Sequence, residues 1–246
     1  ERVEMILDCW QKDSVVLDGK SYQAPYPLET GVEGYPAWEI ARDAGAQGEI
    51  DEKGNTRSIC VVPKPYQKPY PPVFVAASKS RESIEFCAKH GFRPTYFMPN
   101  KGIFELSKVY VEEAAKYGHN FQLGERQNIV RWPHITKNAA DFDRKLRDYD
   151  LDIYKNFYGP FFPQFPRGAD HEMIAGMKKS EIFIGGTIDE SIRQWRVIYD
   201  EVPAEYITLI WHWAQQPKDD VLEELRLFME KVLPELEIPD YSMAAE

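Results

Sequence analysis

From Pro72 to Pro234 the apolar positions of this chain change period repeatedly, from short β-branched or aromatic runs to stripes spaced three and four residues apart. The runs read as strands and the stripes as helices. Strand 73–77, led in by Pro69-Tyr70-Pro71-Pro72, precedes a helix over 81–90, where Ile84, Cys87 and Ala88 share a face and Gly91 is placed to end it in the left-handed region. Strand 94–98 precedes a helix over 102–117 stopped at Gly118, and strand 128–134 precedes a helix from Lys137 to about Tyr154. For that third helix Thr136 is the expected cap, and Ala139, Phe142, Leu146, Tyr149 and Ile153 form the expected buried stripe. Ile182-Phe183-Ile184 opens the next pair, and Thr187 with Glu190 makes a capping box for a helix burying Ile188, Ile192, Trp195 and Tyr199. The last strand is 206–211. Asp220 with Glu223 caps the helix after it, with Val221, Leu225, Phe228, Met229 and Val232 inward and Pro234 as the stop.

Before Pro72 the pattern is different. Glu1 to Gln11 reads as a helix with Val3, Ile6, Leu7 and Trp10 on one face, and with no cap or initiator Met ahead of it the expectation is a missing N-terminal part. Residues 15–22 form a short extended pair turned at Asp18-Gly19, and residues 24–58, rich in Gly, Pro and acidic groups, read as a long irregular connection. A second excursion, 157–180, carries Phe157, Phe161, Phe162 and Phe165 among prolines; it reads as a lid or pocket wall, or as packing at the mouth of the fold. Strands alternating with helices imply a parallel sheet with right-handed crossovers. About four β-α units fit the second half of an eight-stranded barrel, and on pattern alone a doubly wound open sheet equally well. The expectation is one domain, 1–246, of class α/β.

Composition narrows the partners. With 246 residues, 43% hydrophobic, the chain can bury a sizeable core, and a formal charge of −10 argues against sequence-independent nucleic-acid binding. No run approaches the roughly 18 apolar residues of a membrane span, and no signal peptide is visible, so the cytoplasm is the expected compartment. Cys9, Cys60 and Cys87 have neither disulfide nor zinc-type spacing, and no metal is expected.

Ligands of parallel α/β folds sit at the carboxyl ends of the strands, so candidate chemistry is sought there. The turn Ala77-Ser78-Lys79-Ser80 joins a strand to a helix start, where hydroxyls, free first-turn amides and a lysine suit a phosphate; the plainer reading is that Ser80 is an N-cap. His134, after the third strand, reads either as a proton donor or substrate ligand or as a hydrogen-bonded structural histidine. His212, between Trp211 and Trp213, invites the same two readings, with pocket lining as the commoner outcome. Glu49, Asp51 and Glu52 resemble paired glycosidase carboxylates only superficially, because they cluster on one polar loop.

Three segments, in order, resemble the luciferase-like flavin monooxygenases: the Gln67-Lys68-Pro69-Tyr70-Pro71-Pro72 lead-in with its strand, Ser-containing turn and helix to Gly91; Ile184-Gly185-Gly186-Thr187-Ile188-Asp189-Glu190, which has an extra Gly and lacks the family's Pro; and the final helix through Leu225 to Pro234. The resemblance implies the C-terminal part of a (β/α)8 TIM barrel. It implies FMN with its phosphate at Ala77, Ser78, Lys79 and Ser80, with reduced FMN supplied by a separate flavin reductase. It also implies O2 and a small-molecule organic substrate as reactants, and a homodimer. The family's isoalloxazine contacts and catalytic histidine belong to its N-terminal half, so His134 and His212 inherit no role. A deazaflavin-dependent dehydrogenase of the same fold and a non-catalytic flavin-binding or partner subunit stay open as alternatives.

Overall fold

The computed structural model describes residues 1–77, 80–161, 167–212 and 215–241. The sequence reads as one domain; the backbone gathers into two compact units, 1–72 and 73–246. In the first unit, helix α1 (Arg2–Gln11) precedes strands β1 (Leu17–Asp18) and β2 (Gln23–Ala24), an antiparallel pair. Val15, Leu17 and Ala24 form a small core with Met5, Cys9 and Ile59. The 24–58 connection is less irregular than its composition predicts. Helix α2 (Trp38–Ala44) lies in it, and two of its carboxylates fold the chain back on itself. Glu49 accepts from the Ala46 and Cys60 amides at 3.1 and 3.0 Å, and Asp51 from those of Lys53 and Asn55 at 2.9 Å. These acids are turn-formers, which leaves nothing of a glycosidase pair.

The second unit follows the strand-helix rhythm. It contains β3 (Phe74–Ala77), α3 (Arg81–His90), β4 (Arg93–Tyr96), α4 (Asn100–Ala115), β5 (Asn128–Ile135), α5 (Ala139–Lys145), α6 (Leu151–Ile153) and α7 (Gly159–Phe161). After these come α8 (Asp170–Lys179), β6 (Phe183–Gly186), α9 (Ile188–Tyr199), β7 (Tyr206–Leu209) and α10 (Lys218–Leu227). All pairings between its strands are parallel. Residues 157–180, expected to be irregular, include the ten-residue helix α8.

Strand β5 organises the sheet. Residues 128–131 pair with β7, residues 128–129 with β4, and residues 132–135 with β6. Backbone groups alternate sides along a strand: the Gln127 and Arg131 carbonyls accept from Tyr206 and Ile210, whereas the Trp132 and Thr136 amides donate to Ile182 and Gly186. Thus β7 takes one edge, and β4 then β6 share the other. The next bond of the β7 ladder would need an N–H at position 133, and Pro133 has none, so that ladder ends there and β7 and β6 lie on opposite edges. All eight residues of β5 are buried, which requires cover on both faces.

Helices α5, α6 and α7 form one run interrupted by π turns at Leu146–Asp150 and Tyr154–Tyr158. Each π turn adds a residue and rotates the buried face. The stripe expected at Tyr149 and Ile153 therefore falls instead on Asp150, Leu151 and Tyr154, which are buried with Phe142 and Leu146. A third π turn, Phe228–Val232, continues α10, whose buried residues are Glu224, Phe228 and Val232. Leu225 and Met229, expected inward, are exposed. The caps differ too: Asn138 caps α5, accepting from Asp141, and α10 begins after Pro217 with no side-chain cap. The Thr187–Glu190 box forms as the sequence predicts.

Candidate functional site

Because the strands are parallel, their carboxyl ends gather at one end of the sheet, and β5 brings His134 there. Gly185 makes the close approach of β6 to that position: a Cβ on it would stand 2.1 Å from the His134 carbonyl oxygen. Around His134 lies a closed, buried polar network. Its Nε2 is 2.7 Å from Asp150 Oδ2 and its Nδ1 is 3.1 Å from Glu224 Oε2. The other Asp150 oxygen is 2.5 Å from His212 Nδ1, and His212 Nε2 accepts from the Trp132 indole N–H at 2.9 Å. Glu224 also accepts from Lys145, from Gln216 Nε2 at 2.7 Å, from Trp211 Nε1 at 3.1 Å and from the Ile135 amide at 3.3 Å. The π turns supply two members: the first delivers Asp150, and the second delivers Tyr158, whose ring stands edge-on to Trp132 at 5.7 Å and 6.0 Å from His212.

Donor geometry sets the protonation states. An indole N–H can only donate, so His212 Nε2 must be an acceptor and its proton sits on Nδ1, facing Asp150. Both ring nitrogens of His134 face carboxylate oxygens that can only accept, so both carry protons and the ring is a cation. Burial opposes that charge, but hydrogen bonds to Asp150 and Glu224 outweigh it and hold the His134 pKa up at about 9. Burial likewise favours the neutral acids, yet His134 and His212 pull Asp150 below the usual carboxylate range, and His134 with Lys145 does the same for Glu224. With two carboxylates, an imidazolium and an ammonium, the cluster is neutral overall, which is the condition for keeping four charges out of water.

Sequence reasoning singled out His134 and His212, and the structure joins them through one carboxylate. All four of their ring nitrogens are engaged within the network. Asp150, Glu224 and Lys145 were missed. Asp150 lies one turn beyond Leu146 and Glu224 one turn before Phe228, each at the edge of an expected apolar stripe, and they were passed over because they are charged residues beside apolar ones. Among the described residues no group of three or more His, Cys, Asp or Glu is placed to hold a metal ion. Beside the network opens a cavity of about 570 Å³, lined at the ends of β5 and β6 by Thr136 and Thr187 and on the helix side by Lys145, Asp220 and Glu224.

Of the four residues of the expected phosphate turn, Ser78 and Lys79 lie outside the described residues. Ala77 is buried at the end of β3, and Ser80 caps α3 as an exposed residue whose hydroxyl accepts from the Ser83 amide at 3.4 Å. In the 157–180 excursion Phe157 is half exposed, whereas Phe162, Phe165 and the Phe161 side chain lie outside the described residues, as does Trp213. A further buried cation, Arg131, points to the opposite face of β5 from His134 and ties it to β4 and α4. It donates to the Met98 and Val130 carbonyls at 3.2 and 2.7 Å and to Asn100 Oδ1 at 2.6 Å, and burial pushes its pKa down to about 10.

No protein-family model and no curated protein matches the sequence. Solved structures do match its fold. The oxygenating constituent of 3,6-diketocamphane monooxygenase from Pseudomonas putida, a type II Baeyer-Villiger monooxygenase in complex with FMN, superposes with a TM-score of 0.65 at 14% identity, over 97% of this chain and 63% of that one. Monooxygenase RslO1 from Streptomyces bottropensis also gives 0.65, at 17% identity over 94% of this chain and 59% of its own. An F420-dependent secondary alcohol dehydrogenase in complex with an F420-acetone adduct gives 0.55 at 11% identity over 96% and 60%. The chain therefore shares the parallel α/β fold of these proteins, as part of a barrel, and it spans about three-fifths of their length.

Proposed function

We propose that this chain is the C-terminal portion of a flavin-dependent oxidoreductase, a monooxygenase that uses reduced FMN and O2 on a small organic substrate. The observation that carries this reading is the match of nearly the whole chain to the FMN-complexed monooxygenase, with parallel strand ends that gather a turn, a helix start and a buried polar network. The described part of the phosphate turn suits that cofactor. Among the described residues the exposed Ser80 hydroxyl makes one long 3.4 Å bond, to the Ser83 amide, a weak hold that a phosphate could replace, and α3 directs the positive end of its dipole the same way. Ser78, Ser80, Lys79 and the amide of Ala77 would hold the phosphate. Bound there, FMN would supply the two-electron chemistry with O2, while the protein orients the substrate and excludes water.

The roles of the site residues follow from their bonding. His134 and His212, with every ring nitrogen committed, act as positioning groups that fix the strand ends and the helical segment over them. Tyr158 covers Trp132 and His212, and Phe157 beside it belongs to the covering segment. The reading brings with it a separate flavin reductase, a homodimer and a cytoplasmic setting. It is tested by titrating the purified protein with FMN, riboflavin and F420 and following visible absorbance, then oxygen uptake with reduced cofactor. FMN binding well above riboflavin, lost by roughly 1–3 kcal/mol in Ser78→Ala with Lys79→Ala, supports the phosphate site. Preference for F420 without oxygen uptake would replace the monooxygenase by a dehydrogenase, and equal loss for FMN and riboflavin would remove the phosphate role.

A further inference from the structure

The charge cluster has an asymmetry between its two carboxylates. Glu224 keeps four donors besides His134: Lys145, Gln216, Trp211 and the Ile135 amide. Asp150 has His134 and the neutral His212. Should His134 lose its proton, Glu224 would still be matched by the Lys145 ammonium, but Asp150 would be a buried anion with no cation beside it, whichever nitrogen kept the remaining proton. Asp150 belongs to a π turn on a helical segment, not to the sheet.

We propose that this cluster is an electrostatic latch, in which the His134 cation pins the segment 146–158 over the strand ends and loss of that proton loosens the segment while the sheet stays folded. The proposal does not depend on the flavin reading. The groups facing His134 are Asp150 and the Tyr149 ring, 6.4 Å away, from the first π turn, Glu224 from α10 and the Phe142 ring from α5. Lys145 and, 4.0 Å from it, Asp220 stand behind Glu224, and His212 stands behind Asp150. Leu146, Leu151 and Tyr154 anchor the segment in the apolar core beside Met173 and Met177, so the expected change is local opening and not dissociation. Tyr158, at the far end, would uncover Trp132 and His212 as it moves.

The sign and range follow from linkage. His134 is held up to about 9 from an ordinary 6.5, so the stabilisation is complete below about 6.5 and is lost as the pH rises toward 9. If opening frees the ring, the opening equilibrium rises about tenfold per pH unit between pH 7 and 9 and levels off above. Amide hydrogen exchange, read by mass spectrometry and corrected for the intrinsic rate, is measured on the protein from pH 6.5 to 10, alongside nitrogen NMR of its histidine rings. Exchange in 146–158 should follow that course while 128–135 stays unchanged, and the His134 ring should be doubly protonated at pH 7.5. In Asp150→Asn, which leaves no unmatched anion, the pH dependence of the segment should vanish. Corrected exchange that is flat with pH in the wild type, that rises equally in both segments, or that keeps its slope in Asp150→Asn overturns the latch, as does a neutral His134 at pH 7.5. If the variant does not fold, the wild-type profiles and the ring protonation decide.

Discussion

Glu224→Gln is the sharpest perturbation of the polar network, because no orientation of an amide satisfies the groups around position 224. One carboxylate oxygen faces Lys145 and Gln216 Nε2, the other faces His134 Nδ1, Trp211 Nε1 and the Ile135 amide, and all of these donate. A Gln side chain must aim its own N–H groups at one set or the other. It also leaves one carboxylate, Asp150, against two cations. Breaking a buried ion pair in this way costs about 3–5 kcal/mol. The cost should depend on pH. The wild type gains about 3 kcal/mol from holding His134 charged, complete below pH 6.5 and lost by about pH 9; the variant, having lost one of the two anions that raise His134, gains little of it. Urea denaturation followed by tryptophan fluorescence at pH 6.5 and pH 9.5 should therefore show a wide gap between the two proteins at the lower pH and one narrower by about 2–3 kcal/mol at the higher. A gap of equal size at both would show that His134 is not the charged partner of Glu224, and a neutral substitution would remove the network as a source of stability.

Gly185→Ala should cost more than about 3 kcal/mol or prevent folding, since its Cβ would stand 2.1 Å from a backbone oxygen that cannot step aside; a soluble variant with an unchanged melting temperature contradicts the close β5–β6 approach. Trp132→Phe leaves His212 Nε2 a buried acceptor without its donor while Asp150 still holds the proton on Nδ1, so urea denaturation should show a stability loss of about 1–2 kcal/mol; a loss under about 0.5 kcal/mol would show that the indole bond is incidental. Arg131→Lys should lose about 2 kcal/mol in chemical denaturation, because one ammonium cannot span the Met98 and Val130 carbonyls and Asn100 as the guanidinium does; a loss under about 0.5 kcal/mol would show that those bonds are incidental.

The strands and their parallel order were legible because Val73-Phe74-Val75, Ile129-Val130 and Tyr206-Ile207 are short apolar runs set between helical stripes, and the Thr187–Glu190 box marked its helix start to the residue. The helix faces of the site were not. A 3.6-residue period run through 139–154 sets Asp150 one turn beyond Leu146, at the edge of a stripe that Tyr149 and Ile153 were expected to continue, and the π turn, which no local composition announces, moves the buried face onto Asp150 and Tyr154. Glu224, one regular turn before the buried Phe228, was passed over for the apolar Leu225 and Met229, which are exposed. The excursion at 157–180 misled in a different way: its prolines and aromatics occupy the first ten residues, and the helix at 170–179 starts from a segment whose Asp170 and Glu172 favour a first turn. Pro133 carried information that pattern reading discards, since a proline inside a buried run marks where a partner strand must stop.

The central position of β5 also bears on how the chain is made. Two of its three partners arrive late: Asn128 bonds through its side chain to Thr208, 80 residues further along, and β6, on the other edge, is also synthesised after β5 and before β7. During translation the 128–131 edge is therefore an unpaired, apolar strand for as long as it takes to add those residues, several seconds at about 5–20 residues per second. Pairing over such separations is slow to nucleate, and an open edge in the meantime invites pairing with other chains. A chain stalled before Tyr206 would present that edge permanently, so dependence on chaperones should rise sharply for nascent chains that end between β6 and β7.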